Sequence, residues 1–282
     1  MIVLSTGSLF TYGTLRAARL AAAAGFDGLE LMVDDRWDTR DPAYLSTLAR
    51  DVPLPIVAVH APSRPGLMGW GGDEVERVRR SVELAVAVGA RTVVVHPPIR
   101  YRWLAIRRPP FFSISVLTPF PRRSRYHAWL EDELLAYQAT TGVTIAVENM
   151  PRHPVAGSWS VNLFDLAHLR DLRRFPAVAF DTTHIGTWNA DLLVAYERVA
   201  DRVAHVHLSD YNGEQHRLPG EGRLPLAPFL AALRGRGFRG AVAVELVPEA
   251  LGAGNDTVVA KRLERALRFC RENFESRPAR IL

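Results

Sequence analysis

The chain has 282 residues, 48% hydrophobic and 23% charged, with a formal net charge of +5 and a pI near 9.8. That length suits one large α/β domain, and no run approaches the roughly 18 consecutive apolar residues of a membrane span. Lys261 is the only lysine and Cys270 the only cysteine, so an internal disulfide is excluded, and the arginine-borne basic balance does not by itself call for a nucleic-acid partner.

Residues 1–9 read as a short strand broken by Ser5, Thr6 and Gly7, with no basic start followed by a long apolar run, which gives the expectation of a cytoplasmic protein. Strand cores follow at 3–5, 29–32, 56–60, 92–96, 144–148, 178–181, 203–208 and 241–246. Four of them are preceded by a helical pattern and then a glycine, at Gly25, Gly89, Gly142 and Gly237, the mark of a helix stopping before a strand. Asp73 and Glu76 read as a cap pair ahead of the helical spacing Val75, Val78, Val82, Ala85. Val259, Leu263, Leu267, Cys270 and Phe274 share one face of a last helix, which puts the cysteine in the core. Eight strand–helix units, one composition regime and no GxGxxG or GxxxxGK phosphate loop predict a single-domain (β/α)8 TIM barrel over 1–282.

One connection is long. After the fourth strand, about 98–125 carries Arg100, Arg102, Arg107, Arg108, Arg122, Arg123 and Arg125 among Tyr101, Trp103, Phe111, Phe112 and Phe120. Two readings stand side by side: a lid or anion-binding wall at the barrel mouth, or a loop packed on the rim or against a second copy in a homo-oligomer.

Strand parity locates the chemistry, because residues two apart share a face. Val57, Val59, Val93, Val95, Ile145, Val147, Val178, Phe180, Val242 and Val244 are bulky and suit packing under the helices. The other parity carries Ala58, Thr92, Ala146, Ala179 and Ala243 and ends on His60, His96, Glu148, Asp181 and Glu245, with His207 in the same position and His205 one layer deeper. Six consecutive strands thus aim a metal-ligand type into the mouth. Carboxylates crowded there would repel one another and be costly to desolvate, so a divalent cation is the simplest compensation. Glu148, Asp181, His207 and Glu245 make a three-oxygen, one-nitrogen shell suited to Mn2+, Mg2+, Co2+ or Zn2+. His184, Glu214 and His216, with His60 and His96, could hold a second or third metal; as alternatives, His60, His96, His184 and Arg217 could touch substrate directly, and Glu214 could be a surface loop residue.

The ordered series VHAP, VVVHPP, AVENMP, FDTTH, VHLSD, EQHRLPGEG and AVELVPE resembles the xylose isomerase-like TIM barrel superfamily over about residues 25–250. The resemblance implies metal ligation by Glu148, Asp181, His207 and Glu245 in the manner of its ketose epimerases, with Glu148 and Glu245 moving the proton. Its endonuclease IV branch implies a trinuclear zinc cluster at His60, His96, Glu148, Asp181, His184, His207, Glu214, His216 and Glu245, with Glu214 standing where that branch has Asp. The opening STGSLFTYG differs from the Gly-x-His start of that branch. The expected function is a sugar or sugar-phosphate isomerase or epimerase working through an enediolate, with His184 and Arg217 orienting hydroxyls or a phosphate. The alternatives are a metal-dependent phosphodiesterase on abasic DNA and a metal-binding barrel without turnover.

Overall fold

Helices that stop on a left-handed residue deliver the chain straight into the next strand, and the four junction glycines do this, with φ of 91° at Gly25, 76° at Gly89, 68° at Gly142 and 69° at Gly237. The computed structural model describes residues 1–62, 70–108, 112–119, 124–156 and 159–275. Its barrel strands are β1 (Ile2–Ser5), β2 (Gly28–Met32), β3 (Ile56–His60), β4 (Thr92–Val95), β5 (Thr144–Glu148), β6 (Val178–Asp181), β7 (Val203–Leu208) and β8 (Ala241–Val244). All pair in parallel in sequence order, and β1 pairs with both β2 and β8, so the sheet closes as a (β/α)8 barrel.

Helices cover the outside. The helix Glu74–Val88 starts on Asp73, whose side chain accepts from Glu76 N–H at 2.9 Å, while Glu76 reaches back to Gly72 N–H at 2.8 Å. The last helix, Asp256–Phe274, buries Val259, Leu263, Ala266, Leu267 and Cys270. Between sheet and helices lies one continuous apolar layer that takes in Val59, Val93, Val95, Ile145, Val147, Phe180, Val242 and Val244. Phe180 stacks on Phe229 at 5.5 Å between ring centroids. Burial of each such side chain contributes about 1.5–3 kcal/mol.

The barrel interior is lined by small residues, in two clusters: Val94, Ala146, Ala177 and Ala179, and Val3, Ala241 and Ala243. Strict alternation fails where a ladder slips. Val57 packs with Val3, Ala241 and Ala243 instead of under the helices, because the register of β2 against β3 shifts between Leu29 and Glu30 and turns Val57 inward.

Two stretches of the connection at 98–125 are strands. Tyr101–Arg108 and Phe112–Pro119 pair as an antiparallel hairpin, anchored where Arg100 and Tyr101 N–H donate to the Leu163 carbonyl at 2.7 and 3.1 Å. The side chains of 102–123 lie outside the described residues, and with them the lid and anion-wall readings of the arginines there. A shorter hairpin, Arg152–Ala156 with Trp159–Asn162, follows β5. Among the described residues no helix is long and apolar enough to cross a membrane.

Candidate metal centre

Glu148 ends β5, Asp181 ends β6, His207 lies in β7, and Glu245 follows β8. One donor atom from each of the four lies within 4.8 Å of the others. His207 Nδ1 is the centre of this group, 2.8 Å from Glu148 Oε1, 3.3 Å from Glu245 Oε2 and 3.8 Å from Asp181 Oδ2. His207 and Asp181 are fully buried, and Glu148 and Glu245 almost so. Asp181 Oδ2 has no hydrogen-bond partner. Buried carboxylate oxygens without donors cost several kcal/mol each, and a divalent cation is what three carboxylates and one imidazole at these separations fit.

Local structure explains why the donors stay put. Asp181 caps the short helix Thr182–Thr187, its Oδ1 accepting from His184 N–H at 2.9 Å, which leaves Oδ2 for the site. Asn149 prolongs the β5–β6 pairing with its side chain, accepting from Asp181 N–H and donating to the Asp181 carbonyl. His184 Nδ1 lies 2.7 Å from the Asn149 carbonyl, so its Nε2 is the nitrogen left over. His216 sits in left-handed backbone at φ 56° on a loop gathered by the buried Asp210, whose carboxylate accepts from the N–H groups of Tyr211, Gly220 and Leu224.

A second ring surrounds the four. His96 Nε2 is 3.0 Å and His60 Nε2 3.5 Å from Glu148 Oε2, and His60, His96 and Glu148 form one three-donor group. Asp181, His184 and His216 form another. Glu214 and Arg217 belong to neither: they pair with each other at 3.0 Å, and the Glu214 side chain is 73% exposed.

The charges follow from burial and neighbours. Burial pushes the Asp181 carboxyl up to about 7, with Glu148 and Glu245 adding to the push and His216 opposing it. Burial would likewise neutralise Glu148, but His207, His60 and His96 hold it well below the usual carboxylate range. Burial works against the His60 cation too, yet Glu148 raises it to about 9, and Glu245, Glu30 and Glu148 raise His207 well above the ordinary imidazole value. His96 and His184 are pulled down by burial, which leaves them as neutral imidazoles at physiological pH.

One residue escaped the sequence reading. Glu30, on β2, is fully buried inside the barrel, with Oε2 2.7 Å from His205 Nε2 and 3.0 Å from His207 Nε2. The available signal was a carboxylate between two leucines of an apolar strand, at the parity that points inward.

Above the four donors a cavity of about 510 Å³ opens at the C-terminal mouth. Its floor includes His60, His96, Glu148, His184, His216 and Glu245, and its wall includes Phe10, Met32 and Met150. The only guanidinium lining it among the described residues is Arg36, held by Asp34 at 2.7 Å.

The model of the xylose isomerase-like TIM barrel family matches residues 18–272. An uncharacterised protein of Mycobacterium leprae is 30% identical over 86% of this chain and 87% of its own. Fructoselysine 3-epimerase of Escherichia coli O157:H7 is 29% identical over a shorter stretch, 41% of this chain and 42% of that enzyme. The crystal structure of 3-keto-D-glucoside 4-epimerase from Escherichia coli superposes with a TM-score of 0.66 at 20% identity, covering 96% of this chain and 99% of that one, which is a likeness of fold.

Proposed function

The chain belongs to the xylose isomerase-like TIM barrel family, and on that premise we propose that it is a divalent-metal-dependent sugar epimerase or isomerase. The observation that carries this reading is the convergence of Glu148, Asp181, His207 and Glu245 on one point beneath an open cavity. A cation held by these four, Mn2+, Co2+, Mg2+ or Zn2+, would supply Lewis-acid polarisation of the carbonyl and neighbouring hydroxyl of an open-chain sugar.

The chain's own groups do the rest. Glu245 and Glu148 both line the cavity and serve as the two proton carriers, one removing the proton from the carbon beside the carbonyl and the other returning it to the enediolate. Glu148 is held ionised by the imidazoles around it. Glu245 is nearer the opening, 3.3 Å from His207 Nδ1 and 3.8 Å from His216 Nδ1, and is the group we assign to proton removal. His60, His96 and His184 line the same floor and are placed to bind sugar hydroxyls. Arg217, turned towards Glu214, is not among the cavity-lining residues.

The pairing of Glu214 with Arg217 also favours this chemistry over phosphodiester cleavage, because the trinuclear arrangement needs that carboxylate as a ligand. The test is carbon-bound deuterium uptake by neutral ketoses incubated with metal-loaded protein in D2O. Uptake is expected in the wild type and should fall by roughly 10²- to 10⁴-fold in Glu245→Gln, which keeps an oxygen for the metal and loses the base. Metal-dependent nicking of abasic DNA without exchange into any sugar would overturn the reading. Retained metal with neither activity would mark a binding barrel.

A further inference from the structure

An imidazole that ligates a metal must present a lone pair on one nitrogen, so its remaining proton has to sit on the other. In His207 the nitrogen facing the carboxylates is Nδ1, at 2.8 Å from Glu148, and the opposite nitrogen, Nε2, faces Glu30 Oε2 at 3.0 Å. A carboxylate is an acceptor only, so each nitrogen meets an acceptor here, and once a cation takes the Nδ1 lone pair the contact with Glu30 keeps the remaining N–H on Nε2. Glu30 itself lies on β2, the strand next to β1 and β3 that supplies none of the four ligands, and is wholly buried. Its Oε1 has no partner at all, so the two histidines at Oε2 are what offsets taking this carboxylate out of water.

We propose that Glu30 is a positioning residue of the metal centre, holding the proton of His207 on Nε2 and the ring in the orientation that offers Nδ1 to the metal. His205 Nε2 lies against the same oxygen from the layer below, 2.7 Å away. Glu30 touches neither the cavity nor any substrate placed in it, so it acts through His207 alone. The inference rests on the metal reading of the four-residue shell and is independent of which sugar binds.

The experiment uses the full chain with one equivalent of Co2+, comparing the wild type with Glu30→Gln and Glu30→Leu. In the wild type the proton NMR spectrum should contain a hyperfine-shifted N–H signal, present in H2O and lost in D2O, from the Nε2–H of His207. Both variants should bind Co2+ about 10- to 100-fold more weakly, the range in which outer partners of metal-bound histidines act, and the N–H signal should move in Glu30→Gln and vanish or move further in Glu30→Leu. A signal that stays in place in both variants overturns the proposal even if affinity falls, since a packing role alone would weaken binding without touching the N–H. Affinities within about twofold of the wild type overturn it as well. If neither variant folds, the wild-type spectrum still decides: Co2+ bound with no exchangeable shifted N–H refutes the assignment. Failure of the wild type to bind Co2+ at all refutes the metal reading itself, a distinct outcome.

Discussion

Asn149 and Asp181 are joined by two hydrogen bonds between one side chain and one backbone unit, with Asp181 N–H donating to Asn149 Oδ1 at 2.8 Å and Asn149 Nδ2 donating to the Asp181 carbonyl at 2.9 Å. Asn149→Ala removes both, taking a side-chain partner from the N–H and from the carbonyl of a proposed ligand. The expected cost is about 2–4 kcal/mol of stability from chemical denaturation, with weaker binding of divalent metal in titration calorimetry. A loss below about 0.5 kcal/mol would show that the β5–β6 ladder holds Asp181 without help.

Adding Mn2+, Co2+ or Zn2+ to metal-free protein should raise its melting temperature, by the equivalent of about 2.7 kcal/mol at a hundredfold excess over Kd. Asp181→Asn should do two opposite things. It should abolish this gain, and it should raise the melting temperature of the metal-free protein by a few degrees, because it removes a carboxylate buried among Glu148 and Glu245. Elemental analysis of tag-free protein with fewer than about 0.2 metals per chain, and no thermal shift with any of the three ions, would remove the metal centre from the account.

The pH profile of the metal-free protein follows from the same groups. Asp181 is raised from 3.8 to about 7, so the folded state binds the extra proton and this stabilisation is full below pH 3.8 and lost as pH rises through 7. His60, raised from 6.5 to about 9, contributes fully below pH 6.5 and loses its contribution on the way to pH 9. Glu30 and Glu148 are depressed, so their contribution is present above 4.5 and lost in acid. Melting temperature should therefore peak in mild acid and fall between about pH 6 and 9. The gain from added metal, which needs the Asp181 carboxylate, should grow as pH rises through 7. A metal-free melting temperature that climbs steadily from pH 6 to 9 would contradict these assignments.

A Cβ placed on Gly222 would sit 2.6 Å from the Tyr211 carbonyl oxygen and would collide with the Asp210 carboxylate that gathers the His216 loop. Gly222→Ala should displace that loop, cost on the order of 3 kcal/mol, and carry His216 away from Glu245. Circular dichroism melts and metal titration of the variant would check it. Wild-type values in both would mean the loop shifts without disturbing the site.

How much of this was legible in the sequence depends on period and parity. The strand ends His60, Glu148, Asp181 and Glu245 could be placed because each follows an alternating run in which bulky and small residues differ visibly. Val57 could not, since nothing in IVAVH announces that the ladder with β2 slips beside it. The strand Phe112–Pro119 carries an alternation, Phe112, Ser113, Ile114, Ser115, Val116, inside a connection that reads whole as a long loop. Glu30 was hidden for a different reason. One acid in an apolar strand signals nothing until closure of the barrel brings it against histidines 175 and 177 positions away.

The order of the donors along the polypeptide sets a timetable for biosynthesis. Glu148, Asp181, His207 and Glu245 all come from the second half of the chain, and β8 must pair with β1, some 240 residues earlier, before Glu245 reaches its place. A growing chain on the ribosome therefore has His60 and His96 long before it owns all four of the proposed ligands. A cation that needs all four donors would bind only the finished ring and would act as a latch on a barrel already closed, so metal content would report that translation and closure have both run to completion.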